Sequence, residues 1–256
     1  MLHSYHNHTH RCNHADGTER EYIEEAIAAG IKTLGFADHV PMPFENGHYS
    51  HFRMTLDQTE DYIKTLRDLR DEYKNDIKIH IGFEAEYYPR VFPRMIDFLS
   101  AYPYEYLILG QHALGNEYDD YYSSTKTTDK STLTRYVDQV IEGLSTKKYL
   151  YLAHPDILNF IGDDDFYRAE ASRLCAFAKE NDIPLEINVL GLRVGRNYPN
   201  TEFWKIAAEM GCTAVLGADA HSTRHVCERD AVERAKAFAD SLGVKITQSL
   251  EDRLEK

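Results

Sequence analysis

Short apolar segments alternate along the chain with longer segments in which apolar residues recur every three or four positions. The short segments predict strands at 2–6, 33–37, 77–83, 106–109, 149–153, 185–187 and 213–216. The longer segments predict a helix after each strand, as at Tyr62, Leu66 and Leu69, whose spacing forms one apolar face. Thr18 and Glu21 form a capping-box pattern before the first helix. The chain is therefore predicted to alternate strand and helix seven times.

This alternation determines the predicted fold. Strands that alternate with helices imply a parallel sheet with right-handed crossovers, and seven such units fit a closed or nearly closed barrel better than an open sheet. The G-x-G-x-x-G pattern of dinucleotide-binding folds does not follow the first strand. No linker or low-complexity tract divides the sequence. We predict an α/β fold, a (β/α)7 barrel, in one domain over residues 1–256.

The composition and the net charge indicate which kinds of molecule the protein binds. The 256 residues are 43% hydrophobic and 28% charged, which is typical of a soluble globular protein. A formal net charge of −13 disfavours nucleic acids and anionic membranes, because both require a basic patch. No segment approaches the roughly 18 apolar residues of a membrane span and no signal-peptide pattern is present, so we expect a cytoplasmic location. An anionic substrate would require local positive charge, which bound metal ions supply.

Metal-binding residue types follow six of the seven predicted strands. These residues are His6 and His8, Asp38 and His39, Glu84, His112, His154, and Asp219 and His221. In parallel α/β barrels the carboxyl ends of the strands converge on one face, where catalytic groups collect. A single histidine at a strand end is more often structural, but agreement across six strand ends predicts a shared metal site.

The residue types and their spacing suit divalent cations. Imidazole binds zinc, iron and manganese, and a carboxylate can bridge two cations. The i, i+2 spacing in His6-Asn-His8 and Asp219-Ala-His221 directs both side chains to one side of an extended chain. Three divalent cations beside Glu84 and Asp219 would leave roughly +4, which favours a phosphate dianion. Cations also activate water for attack at phosphorus, whereas the cysteines and serines lack the partner spacing of a covalent nucleophile.

Together these motifs resemble the polymerase and histidinol phosphatase (PHP) superfamily. The matching segments are His6-Asn-His8-Thr, Ala37-Asp38-His39, Gly82-Phe83-Glu84, His112, Ala153-His154-Pro155 and Asp219-Ala-His221. Two further segments resemble the monofunctional histidinol-phosphate phosphatases. They are Arg11-Cys-Asn-His14-Ala-Asp16-Gly17 and Asn188-Val-Leu-Gly-Leu-Arg193. The resemblance implies a distorted (β/α)7 barrel that holds three divalent metal ions.

The resemblance also implies how the ligands divide among three cations. The ligands of the first would be His6, His8, Glu84 and Asp219. Those of the second would be His112 and His154, with Glu84 as the bridge. Those of the third would be His14, His39 and His221. Asp16 lies two residues beyond His14 and is an alternative ligand of the third cation.

The activity implied by the resemblance is hydrolysis of L-histidinol phosphate to L-histidinol and phosphate, a late step of histidine biosynthesis, by a metal-activated hydroxide. Arg193 and Arg196, in the loop expected after the sixth strand, would bind the phosphate oxygens. Val194-Gly195-Arg196 stands where a Lys-Pro pair is expected, which is a departure in this phosphate-binding segment. Asp219 would carry a proton to the leaving alkoxide, or would serve as a ligand only.

Two other functions remain open. A related phosphoesterase could act on a nucleotide, a sugar phosphate or phosphotyrosine, because one metal cluster serves many leaving groups. A metal-binding module without turnover is disfavoured by the full ligand set. The sequence leaves open whether zinc, iron or manganese is bound and whether the chain forms a homo-oligomer. The other histidines are expected in loops or on the surface: His3, His10, His48, His51, His80 and His225.

Overall fold

The parallel strands of the sheet are arranged in the order in which they occur in the chain. The computed structural model describes residues 1–45, 47–119, 121–247 and 249–254. Eight strands lie in these ranges, each paired in parallel with the next. They are β1 (His3–Ser4), β2 (Thr33–His39), β3 (Lys78–Ala85), β4 (Tyr106–Leu109), β5 (Tyr149–Leu152), β6 (Leu185–Asn188), β7 (Thr213–Gly217) and β8 (Lys245–Ile246).

Helices connect these strands and pack against the outer side of the sheet. They are α1 (Glu19–Ala28), α2 (Thr59–Glu72), α3 (Phe92–Leu99), α4 (Lys130–Ser145), α5 (Asp164–Glu180), α6 (Val189–Val194), α7 (Thr201–Glu209), α8 (Arg229–Leu242) and α9 (Glu251–Leu254). The predicted capping box forms at the start of α1, where the Glu21 N–H donates to the Thr18 hydroxyl and the Thr18 N–H donates to the Glu21 carboxylate. Over the described residues, none of these helices is both long and apolar enough to cross a membrane.

Two short elements differ from the prediction. Residues after β6 form α6, so Arg193 lies in a helix and not in the expected loop, while Arg196 follows this helix. The Asn188 side chain caps α6 by accepting the Gly191 N–H at 2.9 Å, which explains why the helix begins directly at the strand end. The strand β8 is two residues long and shows no periodicity in the sequence.

The barrel closes at the carboxyl ends of its strands. Asn7, just after β1, forms an isolated parallel bridge with Ala220, which follows β7. The His8 N–H donates to the Ala220 carbonyl at 3.0 Å. At the opposite end β8 pairs with β7, and a cavity of about 390 Å³ is lined by residues of β1 and β8. The predicted distorted (β/α)7 barrel is confirmed, with an added strand that widens its amino-terminal end.

Alternate positions of the strands fill the middle of the barrel with apolar side chains. This inner cluster is Tyr5, Ala37, Tyr106, Ile108, Tyr151, Ala153, Val215 and Leu250. The Tyr106 hydroxyl donates to the Tyr5 carbonyl at 2.7 Å and lies 3.1 Å from the Phe36 carbonyl, which ties β4 to β1 and β2. The apolar middle separates polar groups at the two ends of the barrel, and the inward groups at the carboxyl end form the candidate site.

The segment around α9 closes the amino-terminal end of the barrel. Glu251 accepts a hydrogen bond from the Thr33 hydroxyl at 3.0 Å, forms an ion pair with Lys78, and lies 3.2 Å from His80 Nε2. His80 is buried inside β3, with Nδ1 3.0 Å from Glu105. The expected loop or surface position of His80 is therefore wrong, because two carboxylates provide polar partners inside the barrel.

We expect Glu251→Gln to lower the free energy of unfolding near neutral pH. Burial raises the pKa of Glu251, but its contacts with Lys78 and His80 outweigh burial and lower the pKa. A folded-state pKa below the unfolded value of about 4.3 gives stabilisation that is present above that pH and is lost as the pH falls through the folded pKa. Urea unfolding between about pH 7 and about pH 3 measures the difference between wild type and variant. A difference that stays constant over this range would contradict the assigned role.

Candidate metal centre

Side chains from six strand ends meet at the carboxyl-terminal face of the barrel. These side chains are the nine predicted ligands: His6, His8, His14, His39, Glu84, His112, His154, Asp219 and His221. Most follow a strand within a few residues, while His39 and Glu84 lie within β2 and β3. His14 comes from the loop after β1. The structure therefore brings the whole predicted set together, and the role of each residue as a ligand stays a prediction.

Glu84 lies at the centre of this set. Its Oε1 atom is 2.7 Å from His154 Nε2 and 3.4 Å from His112 Nε2. Its Oε2 atom is 3.1 Å from His39 Nδ1 and 3.5 Å from the Nε2 atoms of both His6 and His8. The two oxygens of one carboxylate therefore face two different groups of histidines, which is the arrangement that a bridging ligand requires.

One group has the spacing of a tetrahedral ligand set. The Nε2 atoms of His6 and His8 are 3.1 Å apart, and Asp219 Oδ1 lies 3.7 Å and 3.3 Å from them. The two nitrogens are separated from each other, from Asp219 Oδ1 and from Glu84 Oε2 by 3.1–3.7 Å. Tetrahedral ligands at about 2.0–2.2 Å from zinc are separated by about 3.3–3.6 Å. These four atoms therefore fit one cation between them.

A second arrangement of ligand atoms lies on the solvent side. His14, His39 and His221 each offer a ring nitrogen, and these nitrogens lie within 4.8 Å of one another. The rings of His14 and His221 have centroids 4.6 Å apart. Asp16, the alternative to His14, donates its backbone N–H to the His221 carbonyl at 3.0 Å, and the side chains of both His14 and Asp16 are exposed. The geometry favours His14 as the side chain that joins this group.

Two residues of the site have an unusual backbone conformation. His154 has φ 69° and Asp219 has φ 47°, in the left-handed region that residues other than glycine rarely adopt. Backbone strain of this kind is found most often at functional sites. The predicted proximity of Asp219 and His221 is present, with 3.2 Å between Asp219 Oδ1 and His221 Nδ1, but φ shows that it does not arise from an extended chain.

Buried carboxylates form a second layer, in which Asp38 belongs to the predicted strand-end residues whereas Glu186 and Glu86 were not predicted. Glu186 Oε1 lies 2.7 Å from His6 Nδ1, Glu86 Oε1 lies 2.8 Å from His112 Nδ1, and Asp38 Oδ1 lies 3.4 Å from His8 Nδ1. All three carboxylates are essentially inaccessible to solvent. An acidic residue inside an apolar strand, as in Leu185-Glu-Ile187, is the sequence signal that indicates such a group.

The second layer contacts further groups that hold it in place. The Asn188 amide donates to Glu186 Oε2 at 2.9 Å and to Asp219 Oδ2 at 3.1 Å, which joins the two layers. Asp38 accepts the Thr9 hydroxyl and the Thr9 N–H. Hydrogen bonds of this kind orient metal-binding side chains and tune their basicity.

The buried carboxylates of the site are stabilised by nearby positive charge. Burial lowers the pKa of His6, but Glu186, Asp219 and Glu84 outweigh burial and raise it to about 10. Burial likewise raises the pKa of Glu84, but His112, His6 and His39 hold it well below its ordinary value. The buried carboxylates therefore attract either protons or cations. Divalent cations with neutral histidines would satisfy the same carboxylates, so the residues fit a metal centre.

A cleft of about 370 Å³ opens above these side chains. Its floor contains metal-type residues such as Glu84 and Asp219, and its walls are Phe52, Tyr122, Leu190, Arg196 and Tyr198. The Phe52 ring lies edge-on to His39, with centroids 5.2 Å apart. A cleft of this size admits a small molecule with an apolar or aromatic part.

The two predicted phosphate-binding arginines have different surroundings. Arg196 lines the cleft, and its Nη1 donates to the Tyr198 hydroxyl at 2.7 Å. The Arg193 side chain is 10% exposed and lies outside the cleft lining, with Nε 3.6 Å from Glu228 Oε2. Burial lowers the pKa of Arg193. Arg196 is therefore the arginine placed to contact a bound molecule directly.

The sequence matches a known protein family over most of its length. A model of the PHP domain matches residues 4–189, which include all the predicted ligands before β7. A probable histidinol-phosphatase from Deinococcus radiodurans is 29% identical over 251 residues and covers 94% of each chain. A histidinol-phosphatase from Bacillus subtilis is 26% identical over 251 residues, covering 86% of this chain and 94% of the relative.

Solved structures show the same fold. The histidinol phosphate phosphatase from Lactococcus lactis, complexed with zinc, L-histidinol and phosphate, has a TM-score of 0.73 at 20% identity, covering 96% of this chain and 95% of its own. A putative histidinol phosphatase from Listeria monocytogenes has a TM-score of 0.76 at 19% identity, covering 90% and 99%. At these identities the likeness supports the fold of the chain.

We expect Gly110→Ala to weaken metal binding by at least about tenfold. A Cβ atom at Gly110 would overlap the Glu84 carboxylate and displace it from the histidines. The matched control is Gly162→Ala, whose Cβ would press on the Phe160 ring, outside the cleft lining. Metal content after dialysis against a chelator, measured by mass spectrometry, reports the effect. Equal retention of metal by wild type and Gly110→Ala would refute the bridging position of Glu84.

Proposed function

We propose that this chain, which belongs to the PHP domain family, hydrolyses L-histidinol phosphate to L-histidinol and phosphate. The family predicted from the sequence motifs is confirmed by the match to residues 4–189. The observation that carries the proposal is the meeting of the predicted ligands around Glu84, on the floor of one cleft. Relatives that align over nearly the whole chain are named for this activity, which supports the choice of substrate.

The proposed cofactor is a set of three divalent cations, zinc, iron or manganese. His6, His8 and Asp219 would hold the first and His14, His39 and His221 the third. His112 and His154 would hold the second, which shares Glu84 with the first. When bound, such cations lower the pKa of a water molecule and neutralise phosphoryl oxygens. Glu186 and Asp38 would orient His6 and His8 and keep their Nε2 atoms directed at the ligand cluster.

The buried carboxylates also change the charge expected for the site. Asp38, Glu86 and Glu186 add three negative charges to those of Glu84 and Asp219, so three divalent cations would leave a smaller positive charge than the sequence suggested. Arg196 supplies further positive charge at the wall of the cleft, where it can bind a phosphate oxygen through two N–H groups. Arg193 would act as a more distant positive charge near Asp219.

Asp219 is the proposed catalytic residue. Its carboxylate lines the cleft, so it lies where the substrate would enter. Water adds to phosphorus, the bond from phosphorus to the histidinol oxygen breaks, and the departing alkoxide needs one proton. Because Oδ1 is the proposed ligand atom, Asp219 Oδ2 would take a proton from the attacking water and pass it to that oxygen. The Asn188 amide, which donates to Oδ2 at 3.1 Å, would orient this atom.

The remaining partners follow from charge and shape. The substrate is a small phosphate monoester, which fits a cleft of about 370 Å³. It stays a prediction from the sequence that nucleic acids and membranes are not partners and that the location is cytoplasmic. The sequence leaves open whether the chain forms a homo-oligomer.

We expect metal-loaded protein to hydrolyse L-histidinol phosphate with a kcat/KM at least about 100-fold above that for other phosphate monoesters. The comparison panel is p-nitrophenyl phosphate, a nucleoside monophosphate, glucose 6-phosphate and phosphotyrosine, with phosphate release as the measurement. Protein treated with a chelator should lose activity and regain it after addition of Zn²⁺ or Mn²⁺. Equal rates across the panel would remove histidinol phosphate as the specific substrate and leave the phosphoesterase class intact.

We expect Arg196→Ala to lower kcat/KM for the phosphate ester by about 10- to 100-fold, since a hydrogen bond to a charged group contributes about 1.5–3 kcal/mol. The main effect should be on KM, because the arginine binds the phosphate before and during the reaction. Arg135→Ala, an exposed position on α4, is the matched control for loss of one positive charge. Unchanged kinetics for Arg196→Ala would show that another group binds the phosphate.

A further inference from the structure

Glu86 is buried between a predicted metal ligand and an arginine. Its side chain is inaccessible to solvent, although it directly follows β3 at the end of the barrel where the cleft opens. Oε1 lies 2.8 Å from His112 Nδ1 and accepts the Arg53 Nη2–H at 3.1 Å. Both partners contact Oε1, whereas Oε2 is buried without a hydrogen-bond partner among the described residues. His112 and Arg53 are therefore the groups that stabilise this buried carboxylate.

Arg53 is itself fixed by several contacts. It is 2% exposed, donates to the Val40 carbonyl at 3.0 Å and to the Ser50 hydroxyl at 3.1 Å, and pairs with Glu117 through Nε at 3.0 Å. A planar guanidinium held by this many acceptors has little freedom to reorient. Arg53 therefore provides a rigid support for Glu86.

The geometry of His112 explains why this support matters. Its Nδ1 faces Glu86 and its Nε2 faces Glu84 Oε1 at 3.4 Å. A carboxylate at Nδ1 favours the ring form with hydrogen on that nitrogen, which leaves the Nε2 lone pair free for a cation. The side chain of His112 is 20% exposed, so the hydrogen bond to Glu86 fixes which ring nitrogen faces Glu84.

We propose that Glu86 is the positioning residue for His112, and that Arg53 holds Glu86 in the orientation this requires. The inference rests on the proposed function, because it takes His112 to be a metal ligand. It assigns a role to two residues outside the predicted ligand set and outside the cleft lining.

Arg53 also links the metal site to the wall of the cleft. Its guanidinium lies over the ring of its neighbour Phe52, 4.5 Å from the centroid. The Phe52 ring in turn lies edge-on to His112, with centroids 6.2 Å apart. The segment that supplies one cleft wall is thus anchored to the same carboxylate that orients the histidine.

The test is the metal affinity of Glu86→Gln and Glu86→Ala, measured by competition with a chromophoric chelator, without any substrate. Glutamine keeps an acceptor oxygen near His112 but loses the negative charge, and alanine removes both. We expect the most weakly held metal ion to bind about 10- to 100-fold less tightly in Glu86→Ala, with a smaller loss in Glu86→Gln. The matched control is Glu105→Gln, because Glu105 faces His80 Nδ1 at 3.0 Å at the opposite end of the barrel.

A second measurement separates positioning from a general loss of structure. In a His112→Ala background, Glu86→Gln should cause little further loss of metal affinity, because its effect acts through that ring. Near-ultraviolet circular dichroism of each variant checks that the fold is retained. Unchanged affinity in both Glu86 variants, or an equal loss in the His112→Ala background, would overturn the inference. Wild-type protein that binds no metal would instead remove the proposed metal centre itself.

Discussion

Five carboxylates buried at one end of the barrel impose the constraint on which the site depends. They are Glu84, Asp219, Asp38, Glu86 and Glu186, each almost inaccessible to solvent. A buried negative charge is tolerated only where hydrogen bonds and positive charge surround it. Histidines surround most of these groups, and Arg53 pairs with Glu86. The acidic groups therefore require either protonated histidines or cations, and the tetrahedral spacing around His6 and His8 suits a cation.

The register of the parallel strands makes this concentration of charge feasible. His39 is the register partner of Glu84 across β2 and β3, so one pair of neighbouring strands places ligand types side by side. The bridge between Asn7 and Ala220 brings the chain after β1 against the chain after β7, and so places His6 and His8 beside Asp219. Among the described residues the barrel therefore closes at the end that carries the site. At the other end β8 pairs with β7, and a cavity lies between β8 and β1.

The sequence predicts those site residues that are of a metal-binding type and also lie at the end of a predicted strand. His154 and His112 are such residues, and the structure places them beside Glu84. Glu186 lies inside the predicted strand 185–187 and not at its end, so the strand-end pattern does not include it, although an acidic residue inside an apolar parallel strand indicates a buried group. Arg53 lies in a segment without periodicity, and its partner Glu117 is 64 residues away. Long-range pairs of this kind leave no local pattern in a single sequence.

Arg53 differs from Arg196 in the groups that its guanidinium faces. Arg196 lines the cleft, whereas the guanidinium of Arg53 points to Glu86 and Glu117 and is neutralised there. The attraction of an anionic substrate would therefore come from the proposed cations, from Arg196 and from the more distant Arg193. Phe52 is the neighbour of Arg53 in the chain, so this cleft wall cannot shift without moving the group that supports Glu86. If the organic part of the substrate packs on Phe52, its binding and the orientation of His112 would be coupled through Arg53, and a change in specificity at this wall would have to keep Arg53 in place.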